Sequence, residues 1–299
     1  MKKTVVLGVL LSLFFLFSVY FLYYQPSSKR ENFQKCVHDI ALVREFCRNV
    51  SKNEAAFCNF KRSFVYALFF EHATYEEGEK YLAIIKEHSP KLLEHFSRFL
   101  ENEKVGNPEL FEYRGVGSAS PSTLRYIKVA SDLDRYFGNL NGKRIVEIGG
   151  GHGGQCAILS SLYHLERYVI VDLPEVLDLA KKYLSEMQVN NVDFLSFEEF
   201  SKLPETDLII SNYTFTELDR KIQRSYLKEI FPKVKKGYLT CNFCFKHFGV
   251  DPLQKRELLE QFQQNNLAVE QFPEEPQTGN ENFILSWKEE NGYDKKENF

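Results

Sequence analysis

The chain has 299 residues, enough for one α/β catalytic domain of ordinary size and a smaller accessory region. Hydrophobic residues make up 43%, and 41 Asp plus Glu nearly balance 38 Lys plus Arg, for a net charge of −3. This composition excludes a disordered chain. It also lacks the basic excess of a nucleic-acid binder, so no nucleic-acid partner is expected.

The first element is an apolar run without charge, Val5 to Tyr24, between Lys2 and Lys3 on one side and Lys29 and Arg30 on the other. A bilayer core about 30 Å thick needs about 20 helical residues, whereas a cleaved signal has a shorter apolar region of about 7–15. Residues 1–28 are therefore expected to be an uncleaved, single-pass membrane anchor, with Tyr20, Tyr23 and Tyr24 as interfacial aromatics. Positive charge at both ends leaves the orientation open. Residues 29–117 follow as a helical accessory region: apolar residues recur three and four apart from Val37 to Phe46 and from Tyr81 to Leu100. Asn107-Pro108, Gly115 and Gly117 mark a loop at its end. Cys36, Cys47 and Cys58, eleven residues apart, are read as small buried apolar side chains before they are read as disulfide partners.

Residues 118–290 carry a different pattern, and residues 291–299 form a polar tail. A helix from Ser122 to about Phe137 leads into a strand at 143–148. Helices near 155–164, 174–187, 219–231 and 252–265 then alternate with strands near 167–171, 192–195, 207–211, 237–243 and 282–287. Such alternation predicts an α/β fold, a Rossmann-like parallel sheet with helices on both faces.

Three motifs carry chemistry. The run Val146-Glu147-Ile148-Gly149-Gly150-Gly151-His152-Gly153-Gly154 sits where a strand turns into a helix, where glycines let a cofactor approach the main chain. Gly149, Gly151 and Gly154 satisfy the dinucleotide pattern, whereas Glu147, Gly149, Gly151 and Gly153 satisfy the methyltransferase pattern acidic-x-G-x-G-x-G. Glu147 decides between them, because a carboxylate suits a cationic methionine moiety and repels a pyrophosphate. The rival of another class is thus a nicotinamide-dependent oxidoreductase; a further one is a non-catalytic module that only binds the cofactor. Asp172-Leu173-Pro174 ends the second strand, where an acid accepts hydrogen bonds from ribose hydroxyls; Asp172 also suits the N-cap of the next helix. The third motif, Ser211 to Leu218, follows the fourth strand and supplies Asn212, Tyr213 and Glu217 to the expected meeting place of donor and acceptor. It lacks the Asn-Pro-Pro-Tyr type of sequence found in enzymes that methylate base or amide nitrogens. Cys241-Asn242-Phe243-Cys244 is a lone CxxC, weak evidence for zinc or redox chemistry.

With Ser120-Pro121-x-x-Leu124-Arg125-Tyr126, Ile145 to Gln155, Asp172-Leu173-Pro174, Ser211 to Leu218 and Glu275-Pro276-x-Thr278 assembled, the chain resembles the sugar O-methyltransferase family, a branch of the class I methyltransferases. The resemblance implies S-adenosylmethionine as methyl donor and a sugar hydroxyl as acceptor. From the motifs and their places, Glu147, Gly149, Gly151, Gly153, Asp172, Leu173 and Asn212 are expected at the cofactor, and Arg125, Tyr126 and Tyr213 at the substrate. The Asp-Leu-Pro run also looks like that of plant-type small-molecule O-methyltransferases, whose catalytic His falls at Thr216 here, with Glu217 beside it. An alcohol needs a base to take its proton. Glu217 is the first candidate, His152 the second and His247 the third. No metal is expected, since Asp193, Glu198 and Glu199 read as solvated charges. The anchor suggests a lipid-linked or envelope glycan, and a donor made in the cytosol suggests a catalytic domain on the cytosolic side.

Overall fold

The computed structural model describes residues 40–243 and 250–288, within a unit that spans residues 39–299. The apolar run at 5–24, Cys36, His247 and the polar tail lie outside the described residues. Among the described residues no helix is long and apolar enough to cross a membrane.

The accessory region is helical but cut into short pieces. Its main helices are α1 (Ile40–Lys52), α2 (Phe64–Phe69) and α3 (Tyr75–His88), with single turns between and after them. Polar caps do the cutting. The Ser63 side chain accepts from the Tyr66 amide, and Thr74 forms a reciprocal capping box with Glu77. The expected loop near 107–117 holds a small antiparallel hairpin, β1 (Phe111–Tyr113) with β2 (Gly117–Ala119). Gly115 and Gly117 turn it at φ +91° and +92°.

Helix α4 (Pro121–Phe137) starts on the Ser120 cap with proline in its first turn and stops at Gly138, at φ +72°. It carries a buried ion pair, Lys128 Nζ to Asp132 Oδ2 at 2.7 Å, and the Tyr238 hydroxyl donates to the same oxygen at 2.7 Å. A buried pair is kept only when such extra hydrogen bonds offset its desolvation.

Five parallel strands follow: β3 (Arg144–Ile148), β4 (Arg167–Asp172), β5 (Val192–Ser196), β6 (Leu208–Asn212) and β7 (Lys236–Cys241). Apolar runs buried on both faces form the central β3, β4 and β6, whereas β5 lies at the sheet edge and is only partly buried. Helices α5 (Gly154–Leu162) and α6 (Pro174–Glu186) connect the first three strands. The seven-stranded sheet has the order β5-β4-β3-β6-β7-β9-β8, and β9 (Phe283–Lys288) runs antiparallel to both neighbours. The edge strand β8 (Glu270–Pro273) was not expected from sequence; its four residues Glu-Gln-Phe-Pro show no apolar run. Residues 219–231, expected as one helix, are a helix at Arg220–Ser225 and a π turn at Tyr226–Ile230; Pro232 lies in the following turn and cannot donate a helical hydrogen bond.

Each face of the sheet has its own core. Ile145, Ile170, Ile210 and Tyr238 pack under α4, α5, α6 and the accessory region. Val146, Val171, Ile209 and Leu239 pack against Tyr226, Phe231, Phe262 and Trp287. Helix α1 docks on α6 and holds it through Arg48 to Glu175 at 2.5 Å. The accessory region thereby lies over the carboxyl edge of β3 and β4, where the glycine run sits.

Candidate active site

Strand β3 ends at Ile148, and the chain turns through Gly149, Gly151 and Gly153 with φ of +76°, +55° and +96°. The space is as demanding as the dihedrals. A Cβ on Gly149 would lie 2.1 Å from the Thr214 hydroxyl oxygen, and one on Gly153 would lie 2.9 Å from Leu184. Gly154 is pressed against the Tyr126 ring, where a Cβ would come within 2.4 Å. Gly149→Ala should therefore cost more than the roughly 1–3 kcal/mol of a strained backbone position. Gly138→Ala is the control: its φ is +72° but nothing lies within 4 Å of a new Cβ. Thermal denaturation of the two variants is expected to give a clearly lower Tm for Gly149→Ala than for Gly138→Ala.

Two carboxylates flank this turn. Glu147 is 2% exposed and accepts from the Tyr168 hydroxyl at 2.8 Å; burial pushes its carboxyl up to about 8. Asp172 Oδ2 accepts from the Gly151 amide at 3.0 Å, and Oδ1 from the Leu173 amide at 2.7 Å. Burial pushes Asp172 up to about 6, against the pull of these two amides. The expected N-cap role of Asp172 is corrected: Leu173 occupies the cap position of α6 without a side-chain bond, because the Asp172 carboxylate turns back to the glycine loop. Leu173 itself packs on the core. A glycine turn stripped of side-chain bulk, beside two carboxylates whose charge is poorly solvated, fits a cationic cofactor with hydroxyl donors better than a pyrophosphate.

Opposite the glycine turn, β6 ends at Asn212, whose Oδ1 accepts from Thr240 on β7 at 3.3 Å. Tyr213 follows at φ +68°, an uncommon conformation for a bulky residue. Its strain is held by its surroundings. Its hydroxyl donates to Glu274, the Thr278 hydroxyl lies 3.3 Å away, and its ring carries the Arg125 guanidinium at 5.9 Å. Ser211 ties the two loops together by donating to the Ile148 carbonyl at 2.8 Å and accepting from the Phe215 amide at 3.0 Å. The next turn carries Glu217. Its Oε1 accepts from Asn242 Nδ2 at 2.8 Å, and burial raises its carboxyl above the ordinary range while Asn242 partly restrains it.

Arg125 and Tyr126 reach this place from α4, and both converge on Glu71 of the accessory region. Arg125 Nη2 meets Glu71 at 2.7 Å and the Tyr126 hydroxyl donates to the same carboxylate. Tyr126 is 5% exposed and packed on Gly154, so it supports the glycine turn and is not presented to an acceptor; that expectation is corrected. His152 is corrected as well. It is 1% exposed, within 4.7 Å of Tyr183 and 5.6 Å or less of Phe60 and Tyr66, ring centre to ring centre. Burial, with Lys61 and Arg125 nearby, holds it neutral, and such enclosure keeps an acceptor hydroxyl out of reach. Glu71, Glu274 and Asn242 are site residues that the sequence reading did not single out. Asp193 and Glu199, read as solvated charges, pair with Arg167 at 3.2 Å and with Lys202 at 2.5 Å.

Residues 121–237 match the family model of the O-methyltransferase domain. No curated protein is matched. Among solved structures, the chain is similar to an O-methyltransferase family protein from Burkholderia thailandensis, at 14% identity and a TM-score of 0.41, over 71% of this chain and 73% of that one. It is also similar to a SAM-dependent methyltransferase from Aquifex aeolicus, at 19% identity and a TM-score of 0.39, over 54% and 87% of the two chains. The matched segment runs from α4 to the start of β7 and contains the glycine turn, Asp172 and Glu217. The chain is an S-adenosylmethionine-dependent methyltransferase with an O-methyltransferase domain.

Proposed function

We propose that this enzyme methylates a hydroxyl of a sugar or glycan, with Glu217 as the base. The observation that carries this reading is Glu217 itself. It is a carboxylate beyond the carboxyl end of β6, made more basic by burial and held at one oxygen by Asn242. Bound S-adenosylmethionine supplies an electrophilic methyl group on a sulfonium. The chain's own residues do the rest. The glycine turn, Asp172 and Asn212 bind and orient the donor, and the buried Glu147 complements its positive charge. Glu217 takes the proton of the acceptor hydroxyl. Arg125 and Tyr213 offer hydrogen-bonding groups to the acceptor beside Glu274 and Thr278, a set of the kind that recognises neutral polyols. The resemblance to sugar O-methyltransferases supports the same class.

In this reading residues 1–28 anchor the enzyme to a membrane with the catalytic domain on the cytosolic side, and the acceptor is a lipid-linked glycan. The support is the length of the uncharged run at 5–24. The test is methyl transfer from labelled S-adenosylmethionine by the full chain in detergent micelles, against monosaccharides, nucleotide sugars and lipid-linked glycans. Labelled sugar product is expected, with the lipid-linked acceptors preferred. Transfer to phenolic small molecules and to none of the sugars would overturn the acceptor class, and equal use of soluble and lipid-linked sugars would overturn the role of the anchor.

A further inference from the structure

The short segment after β7 was singled out in the sequence only for its cysteines. Cys241 is fully buried, with its thiol directed at the Leu239 carbonyl, so it is part of the core. The residue after it has the more informative environment. Asn242 makes three hydrogen bonds, all to the segment that carries the candidate base. Its backbone amide donates to Thr216 Oγ1 at 3.1 Å, its side-chain oxygen accepts from Thr216 Oγ1 at 3.0 Å, and its Nδ2 donates to Glu217 Oε1 at 2.8 Å.

These bonds fix the orientation of the amide. The Thr216 hydroxyl has one proton, and it is directed at acceptors: the Tyr213 carbonyl at 2.8 Å and Asn242 Oδ1 at 3.0 Å. One proton cannot serve both acceptors, so the hydroxyl could face either end of the amide, and the carboxylate decides. The NH2 group must then face Glu217, and a flipped amide would set oxygen against a carboxylate. Among the described residues nothing donates to Glu217 Oε2. One carboxylate oxygen is tied by Asn242.

We propose that Asn242 is the positioning residue of this methyltransferase, holding Glu217 through one oxygen so that the other is presented to the acceptor hydroxyl, with Thr216 bracing the amide from behind. The role of Asn242 rests on the reading of Glu217 as base, but the two fail in different ways. Burial and Asn242 are the two influences on Glu217 among the described residues, and they oppose each other. Removing the amide removes the restraining one.

The experiment is an NMR titration of the full chain labelled with carbon-13 at the glutamate side-chain carboxyls, with Glu217→Gln to assign the Glu217 signal. It needs no knowledge of the acceptor. In Asn242→Ala the Glu217 titration is expected to move upward by about one pH unit, the size of one hydrogen bond to a charged group. Thr216→Val, which keeps the shape and frees the amide to turn, should move it in the same direction by less. Unchanged affinity for S-adenosylmethionine in both variants checks that they are folded. A Glu217 titration that stays in place in Asn242→Ala, with the fold intact, would overturn the proposal. With an acceptor in hand, the acid limb of kcat/KM should follow the same upward shift. If Glu217→Gln kept full activity while the titration still moved, the base reading would fall and the contact would stand as structural only.

Discussion

Glu217→Gln is expected to lower kcat for methyl transfer by about 10²–10⁴-fold, the usual contribution of a positioned general base, and to leave donor affinity close to that of the unaltered enzyme. The amide keeps the shape and can still meet Asn242, so the loss would be chemical and not architectural. The pH dependence gives an independent check. A base works in its ionised form, and burial raises the Glu217 carboxyl. Activity of the unaltered enzyme should therefore rise with pH across a limb above the ordinary glutamate value of about 4.3. The residual activity of Glu217→Gln should lack that limb. Single-turnover rates measured with saturating S-adenosylmethionine from pH 4 to pH 9 would read both effects. A variant that keeps both rate and limb would mean that the proton goes elsewhere, directly to water or to a group outside the described residues such as His247.

The parts of this site that were legible in the sequence are those whose partners are close in the chain or whose backbone demands are local. The glycine turn could be read because only glycine tolerates its positive φ and the approach of Thr214 and Leu184. The central strands β3, β4 and β6 could be read because burial on both faces leaves continuous apolar runs. The rest depends on distant pairings. Glu71 meets Arg125 across 54 residues, Tyr213 meets Glu274 across 61, and Asn242 meets Glu217 across 25. No local pattern announces such contacts. His152 shows the same limit from the other side. Its place in the glycine loop suggests chemistry, but the rings that enclose it come from Phe60, Tyr66 and Tyr183, and only the folded accessory region brings them there. The edge strand β8 stayed hidden for a further reason: it is short and polar, and its partner β9 alone defines it.

Asp172→Asn is expected to weaken S-adenosylmethionine binding by about 10–10²-fold, which corresponds to the roughly 1.5–3 kcal/mol of a hydrogen bond to a charged acceptor. Two losses add in this substitution. The proposed ribose acceptor loses its charge, and the neutral amide can accept from only one of the two backbone amides, Gly151 and Leu173, that the carboxylate now satisfies. The glycine turn should loosen as a result. The sign of the pH effect follows from the direction of the shift. Burial pushes Asp172 up to about 6, so the apo protein holds its proton into the mildly acidic range. A cofactor that donates to the ionised carboxylate must displace that proton, so its affinity should fall as the pH drops through about 6. In the apo protein the sign is opposite: a carboxyl raised in the folded state contributes stability at low pH that is lost as pH rises through the folded value. Cofactor binding should thus stabilise the chain more at pH 8 than at pH 5, in proportion to the logarithm of its gain in affinity. Calorimetric titration and thermal shift at the two pH values measure both sides. Asp172→Asn should flatten the dependence near pH 6 and leave any component above it to Glu147, whose carboxyl burial pushes up to about 8. A dependence that survives intact in Asp172→Asn would move the ribose-binding role away from this carboxylate and leave it as a clamp on the glycine turn.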